Sequence, residues 1–194
     1  MRKKDLFLYL VVLILIISFI WQWVSKNASA NQIIRLNKQQ NYYQQLSLLS
    51  GIGALGSKHI HSDIKIYING NAIDFSEGKY QIASSYIHFE DGIGDVVHIH
   101  ATGLTLGHLF RSLGMDLNSN CIVYGGKNYC TVDNNKLRFY VNGVQNNEFN
   151  NYIFNDLDKI LVSYGNENIS EIQNQVNSVT NLAPKYSSDK KEME

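Results

Sequence analysis

The sequence lacks an excess of charge of either sign. Its 194 residues include 17 Lys and Arg and 17 Asp and Glu, so the formal net charge at pH 7 is zero. Proteins that bind nucleic acid usually carry a strongly basic domain or a basic patch. The balance of charge therefore argues against nucleic acid as a partner.

Charge is absent altogether from residues 6–24, LFLYLVVLILIISFIWQWV. A helix of this length spans roughly 28 Å, close to the ~30 Å hydrocarbon core of a bilayer. Arg2, Lys3 and Lys4 precede the run, and such a basic flank stays on the cytoplasmic side. We therefore expect a single-pass anchor in the cell membrane, with residues 1–5 in the cytoplasm and the rest of the chain extracytoplasmic.

A cleaved signal peptide is the alternative to an uncleaved anchor. The segment Ala28-Ser29-Ala30 has the small-residue pattern of a cleavage site. In either case the remainder of the chain is exported, and the sequence leaves the fate of the apolar run open.

Cysteine is also scarce, with Cys121 and Cys130 as its two occurrences. Between them lies IVYGGKNY, in which Gly125-Gly126 is a two-residue hairpin turn signal. Counting outward from this turn places Cys121 opposite Cys130 at a non-hydrogen-bonded pair. In an exported protein this predicts a structural disulfide. A thiol oxidoreductase would instead need a reactive cysteine, usually in Cys-x-x-Cys.

The rest of the chain divides into four segments. Residues 31–49 are rich in Gln and Asn with apolar residues at roughly helical spacing, which predicts a helical stalk, although a disordered spacer is the alternative. Glycines at 51, 53 and 56 then end the helix. We expect a stalk or linker at 25–56, a β-rich domain at 57–165, a C-terminal helix at 166–183 and a disordered tail at 184–194.

The domain pattern is mostly that of strands. HSDIKIYI alternates apolar and polar residues, and the other predicted strands are Ile73–Phe75, Tyr86–Phe89, Val96–Ala101, Leu137–Val141 and Lys159–Tyr164, besides the cysteine hairpin. The segment TLGHLFRSLG is an amphipathic helix that Thr105 can cap and Gly114 can end. Ser170 and Gln173 are placed as a capping box for the C-terminal helix. The order predicts an α+β fold with a helix across one face of a mixed sheet.

All six histidines lie between His59 and His108. Four of them form two His-x-His pairs, His59 with His61 and His98 with His100, and residues two apart on a strand share a face. If the two strands are neighbours, three or four imidazoles surround one point. That is the ligand set of a zinc or copper site. His88 is a possible fifth ligand, whereas His108 is expected at the surface of the helix.

Four acidic residues accompany the histidines: Asp63, Glu90, Asp91 and Asp95. We expect them to hold the second ring nitrogen of a ligating histidine, or to ligate. Two other interpretations of the histidines stay open. They are ordinary side chains on a solvent-exposed strand face, or they form a patch that gains charge near pH 6.

Several stretches resemble a family of small, N-terminally anchored archaeal extracytoplasmic proteins. They are HIHSDIKIYINGNAIDF, YIHFEDGIGDVVHIHATGLTLGHLFRSLG, LRFYVNG and NDLDKILVSYG. Members often carry the label protein-disulfide isomerase, which the cysteine spacing of this chain does not support. The same pattern also resembles the β-grasp architecture, a fold that serves many functions.

We therefore expect a membrane-anchored extracytoplasmic protein that binds copper or zinc and is accessory to metal handling or to a membrane protein complex. The alternative is a structural or protein-interaction module without metal. Weaker alternatives are a zinc hydrolase using Glu90 or Asp91 as a base, and a thiol-disulfide oxidoreductase. The sequence favours binding over catalysis but does not decide between them.

Overall fold

A computed structural model describes residues 3–188, without the side chains of 3–11, 44, 46–48 and 188. These residues form two units, the helix α1 (Lys3–Leu49) and a domain that begins at Gly51. Residues 1–2 of the expected cytoplasmic segment and residues 189–194 of the expected tail lie outside the described residues.

Helix α1 contains the apolar run predicted from the sequence. Residues Val12–Tyr43 are long and apolar enough to cross a membrane, with a mean hydropathy of 1.3 and no buried side chains. A signal sequence near an N-terminus meets the same criteria. The helix continues without a break through the Gln- and Asn-rich segment to Leu49, and the chain turns just before Gly51.

The domain contains ten strands, three α-helices and two 3-10 helices, Gly78–Tyr80 and Phe149–Asn151, among the described residues. In chain order the strands are β1 (Ile60–Ile68), β2 (Asn71–Ala72), β3 (Ile87–His88), β4 (Val96–Ile99), β5 (Asp116–Leu117), β6 (Cys121–Tyr124), β7 (Lys127–Cys130), β8 (Lys136–Val141), β9 (Val144–Gln145) and β10 (Lys159–Gly165). The helices are α2 (Leu106–Ser112), α3 (Ile169–Ser178) and α4 (Ala183–Ser188).

The strands form one large mixed sheet and one small antiparallel sheet. The large sheet has the order β3-β4-β1-β10-β8-β9, with β2 paired to β1, and the small sheet has the order β5-β6-β7. In the large sheet β1 and β10 run parallel, while the other pairs are antiparallel. The predicted α+β class with a mixed sheet is confirmed.

The cysteine hairpin has the register predicted from the sequence. Cys121 lies opposite Cys130, and the two form a disulfide. Gly125 and Gly126 both have positive φ, +57° and +74°, as a type I′ turn requires. Because this turn type matches the twist of the strands, two glycines were enough to determine the pairing.

The predicted partner of β1 is shifted from its expected position. The sequence placed it at Ile73–Phe75, but β2 begins directly after Gly70, at Asn71. Asn69 and Gly70 have φ of +50° and +76°, so these two residues complete the turn alone. Asn71 and Ala72 are therefore already paired with β1.

One face of the large sheet carries the apolar core. The side chains at alternate positions of β1, including Ile64 and Ile66, are fully buried, and α2 buries Leu106, Leu109 and Phe110 against this side. The buried ends of β3 and β4 contribute Ile87, Val97 and Ile99 to the same cluster. This face is the one that the apolar alternation of the strands predicts.

Helices α3 and α4 pack against β1 in the same domain. The capping box of α3 consists of Asn168 and Glu171, rather than the predicted Ser170 and Gln173. Asn168 Oδ1 accepts from the backbone N–H of Glu171 at 3.0 Å, and Glu171 Oε2 accepts from that of Asn168 at 2.8 Å. Helix α4 lies where the sequence predicted the start of the disordered tail.

His108 caps helix α2 and is half-buried, which corrects its expected place at the surface. The backbone N–H of Thr105 donates to His108 Nδ1 at 3.0 Å, and the Thr105 hydroxyl lies 2.8 Å from the same nitrogen. His108 thus takes the place that Glu or Gln occupies in a capping box. Burial and then the Arg111 cation lower the pKa of His108, which keeps Nδ1 unprotonated as an acceptor.

We expect His108→Ala to lower the free energy of unfolding by about 1 kcal/mol at pH 7, because it removes a helix cap. His108→Gln keeps an acceptor and costs less. The folded-state pKa lies below the unfolded value of about 6.5, so the His108 contribution is complete above that pH and is lost as the pH falls through the folded pKa. Urea unfolding at pH 7 and pH 5 should show a smaller acid loss in His108→Gln than in wild type; an equal loss would contradict this role.

The disulfide should contribute to stability through the short loop that it closes. Cys121 and Cys130 are nine positions apart, and the loop-entropy relation gives somewhat under about 3 kcal/mol. We expect the Cys121→Ser/Cys130→Ser variant to unfold at a lower urea concentration, with its free energy of unfolding reduced by about this amount. An unchanged midpoint would contradict the prediction.

Candidate metal site

Strand pairing brings three histidines into one row across the large sheet. β4 lies between β1 and β3, and His98 of β4 is in register with His61 on one side and with His88 on the other. The condition on which the sequence-based hypothesis depended, that the strands carrying His61 and His98 are neighbours, is met. His59 and His100 lie immediately beyond the paired ends of these strands, with ring centroids 4.5 Å apart.

The apolar side of the strands sets this register. Ile60 pairs with Ile99, and Ile99 with Ile87, in the row next to the histidines, and all three isoleucines belong to the core. Side chains alternate between faces, so a slip of one residue would move the isoleucines to the histidine face and the imidazoles into the apolar core. Burial of the isoleucines therefore places the histidines together on the opposite face.

Ring nitrogens of His59, His61 and His98 form the compact group of the site. One nitrogen from each residue lies within 4.8 Å of the other two. Around a tetrahedral zinc ion, ligand nitrogens at 2.0–2.1 Å from the metal would be about 3.3 Å apart. The nitrogens would have to move closer together to reach that spacing, and the three residues fit a metal ion in number and donor type.

The three histidines differ in their access to solvent. His61 and His98 are only 2% and 4% exposed, whereas His59 is an exposed residue just before β1. The His59 and His61 rings are 5.0 Å apart, and those of His61 and His98 are 4.6 Å apart. A ligand would therefore approach the two buried imidazoles from the side of His59.

The other two predicted ligands lie next to this group but outside it. The His88 ring is 5.8 Å from that of His98 and 5.0 Å from that of His100. His88 Nδ1 donates to the Ser84 carbonyl at 2.7 Å, and its Nε2 lies 3.1 Å from Glu90 Oε2. Both ring nitrogens of His88 are thus engaged, so His88 supports the cluster rather than offering a ligand atom.

The Glu90 carboxylate contacts two of the histidines. Its Oε1 lies 3.1 Å from His98 Nδ1 and its Oε2 lies 3.1 Å from His88 Nε2. Burial raises the pKa of the Glu90 carboxyl, but attraction to His98 and His88 outweighs it, and the net pKa is lowered. An ionised Glu90 therefore pairs with His88 through a hydrogen bond and with His98 through a close electrostatic contact.

The buried imidazole of His98 is held in the neutral form that a metal needs. Burial is the largest cause that lowers the pKa of His98, and the neighbouring His88 and His59 lower it further, against the opposing effect of Glu90. Burial and the same kind of crowding lower the pKa of His100 to about 4. Neutral imidazole is the ligating form, so little proton release should accompany binding near pH 7.

Asp63 has a different role from the one that the sequence predicted. It is completely buried, and both of its oxygens accept hydrogen bonds from the segment that leads into α4. The Thr180 hydroxyl and the Leu182 N–H, at 2.8 Å, donate to Oδ1, and the Ala183 N–H donates to Oδ2 at 3.0 Å. Asp63 thus anchors the C-terminal segment over the histidine face of β1.

The two remaining predicted acids lie at the edge of the cluster. Asp95 forms an ion pair with Lys65, with Oδ1 and Nζ 2.7 Å apart, so its carboxylate is committed away from the imidazoles. Asp91 is exposed in the turn between β3 and β4, with φ of +57°. Its negative charge acts on His98 as a minor influence that raises the pKa of that ring.

Helix α4 contributes residues that the sequence interpretation missed. The Tyr186 ring packs 5.9 Å from that of His61 and 5.3 Å from that of His98. Ser187 Oγ lies 3.1 Å from His61 Nδ1. The segment SSDKKEME is polar and charged, which suggested disorder. Pro184, in the first turn of α4, was the local signal for a helix start.

We expect Asp63→Asn to lower the free energy of unfolding by about 2 kcal/mol, because an amide NH₂ replaces an acceptor that faces backbone N–H groups. Hydrogen exchange should then lose protection at Leu182 and Ala183. Asp95→Asn is the control, since a partly exposed ion pair contributes under about 1 kcal/mol. Unchanged exchange at both amides in Asp63→Asn would show that the carboxylate does not hold α4.

Comparisons with known proteins identify no relative of this chain. No protein-family model, no curated protein and no solved structure matches the chain. The archaeal family resemblance therefore stays a prediction, and the function must be argued from the histidine cluster itself.

Proposed function

We propose that this protein binds a divalent transition metal, copper or zinc, through His59, His61 and His98. One observation carries the proposal: a ring nitrogen of each residue lies within 4.8 Å of the other two. His61 and His98 come from two paired strands whose register depends on a buried apolar face, and His59 directly precedes β1. A rigid sheet of this kind holds ligand side chains more precisely than a loop does.

The donor set supports copper(II) or zinc over softer or harder ions. Imidazole suits Zn, Cu, Fe and Ni, whereas thiolate and thioether donors select Cu(I) and carboxylates suit Mg and Ca. Both cysteines of the chain are tied in the disulfide. Of the two metals, copper(II) is expected to bind more tightly by the Irving–Williams order.

Metal capture or delivery is favoured over catalysis by the surroundings of the site. Three protein ligands leave one coordination position for water or for a ligand from a partner, on the side where His59 is exposed. A zinc hydrolase would also need a general base, but both oxygens of Glu90 already lie 3.1 Å from imidazole nitrogens of His88 and His98. A thiol oxidoreductase would need a reactive thiol, and the cysteines instead link two adjacent strands.

The proposed location is the outer face of a cell membrane. The charge-free run within α1 and the basic residues before it support a single-pass anchor with a cytoplasmic N-terminus. The disulfide supports an oxidising compartment for the domain. In this arrangement residues 25–56 are the stalk, and the metal site serves a membrane complex or its metal supply.

We also propose a β-grasp-like architecture for the domain. Its support is the strand order, in which β1 and β10 form a parallel central pair, β4 flanks β1, β8 flanks β10, and α2 follows β4 in the chain. The fold is shared by many functions and does not by itself favour metal binding. It agrees with the proposed kinship to anchored archaeal extracytoplasmic proteins.

Titration of the full-length protein in detergent with Cu(II) and with Zn(II) tests the proposal. We expect a dissociation constant below about 1 µM for at least one of the metals. The His61→Ala/His98→Ala variant should bind more than about 100-fold more weakly, since losing ligands costs more than losing an outer partner. His108→Gln, a histidine replaced outside the site, is the matched control and should bind as wild type does.

Two results would contradict metal binding at this site. One is a wild-type dissociation constant weaker than micromolar for both metals. The other is an affinity in the double variant equal to that of the His108→Gln control, which would place the bound metal elsewhere on the protein.

A further inference from the structure

Ser187 connects the most buried histidine of the site to a carboxylate. Its Oγ lies 3.1 Å from His61 Nδ1 and 3.2 Å from Asp156 Oδ1. The same Asp156 oxygen accepts from the backbone N–H of His61 at 3.0 Å. Asp156, Ser187 and His61 thus form a closed set of contacts between the chain before β10, the end of α4 and the start of β1.

The number of protons available determines the direction of these hydrogen bonds. A serine hydroxyl has one proton, and an ionised carboxylate can only accept. Ser187 therefore donates to Asp156, and its oxygen accepts from His61. Nδ1 of His61 must then carry the ring proton, and a neutral ring has its lone pair on Nε2.

His98 also has a carboxylate beside its Nδ1. Glu90 Oε1 lies 3.1 Å from that nitrogen, an electrostatic contact that favours a proton there. Glu90 thus acts on His98 directly, whereas Asp156 acts on His61 through the hydroxyl of Ser187.

The position of Ser187 is built by several contacts of α4. The buried Asp63 carboxylate holds the entry to the helix at Leu182 and Ala183. One turn later, the Tyr186 ring packs against those of His61 and His98. Ser187 follows directly and is half-buried. The packing of α4 therefore holds the Ser187 hydroxyl next to the His61 imidazole.

We propose that Asp156 and Ser187 are positioning residues of the metal site, which fix His61 as the Nδ1–H tautomer so that Nε2 ligates. This inference rests on the proposed metal-binding function. It makes α4 part of the site through the hydrogen bonds of Ser187. Outer partners of ligating histidines generally raise ligand basicity and set ring orientation, and their loss costs 10–100-fold in affinity.

The test uses the full-length protein and two readouts. Metal titration of Ser187→Ala should show an affinity about 10–100-fold below that of wild type. Long-range ¹H–¹⁵N spectra of the histidine rings in the metal-free protein should show His61 as the Nδ1–H tautomer in wild type and a shift toward Nε2–H in Ser187→Ala. His98 should keep its tautomer. An unchanged His98 would distinguish loss of the Ser187 contact from a general loosening of the fold.

Conservative and matched variants sharpen the result. Ser187→Thr keeps the hydroxyl and should restore both the affinity and the tautomer. Asp156→Asn keeps an oxygen acceptor without the charge and should cause a smaller loss than Ser187→Ala. Ser178→Ala removes a hydroxyl of α3 that lies 2.9 Å from the Tyr67 hydroxyl, away from the imidazoles, and should change neither readout.

Failure of this inference differs from failure of the proposed function. If wild type binds metal and Ser187→Ala shows the same affinity and the same His61 tautomer, the positioning role is overturned and metal binding stands. If wild type binds neither metal, the proposed function fails, and the positioning role at a metal site fails with it. A His61 ring in the Nε2–H form in wild type would directly overturn the role of Asp156 and Ser187.

Discussion

The pairing of β1 with β4 is the constraint on which the rest of the site depends. This antiparallel pair places His61 opposite His98 and, one row further, Ile60 opposite Ile99. The isoleucines face the core, and the strand alternation then commits the imidazoles to the other side of the sheet. Burial of the isoleucines thus determines where the imidazoles lie, because one backbone register sets the side chains on both faces of the sheet.

A second layer converts this row of histidines into a buried site. Helices α3 and α4 pack against β1, and the fully buried carboxylate of Asp63 anchors the segment between them. Burial beneath this layer is the main cause that lowers the pKa of His98. The same packing therefore favours a neutral His98 and, through Ser187, provides a hydrogen-bond acceptor for His61.

Acidic residues near the histidines illustrate how far sequence proximity can mislead. Asp63 shares a strand face with His61, and alternation alone made it a candidate partner for an imidazole. Its oxygens instead accept from residues 117–120 positions further along the chain. Glu90 was predicted for the same role and does contact His98 and His88. The difference between the two lies in which donors the tertiary packing brings to each carboxylate.

The sequence by itself determined the features that depend on neighbours along the chain. These are the charge-free helix, the strand alternation, the two-residue turn that aligns Cys121 with Cys130, and the sharing of a face by histidines two positions apart. Only the tertiary structure decided that His59, His61 and His98 form the group while His88 is bonded elsewhere, and that α4 covers them. Periodicity and turn geometry are local, whereas these contacts join segments as far as 126 residues apart. Their formation depends on how whole elements pack, which no short stretch of sequence encodes.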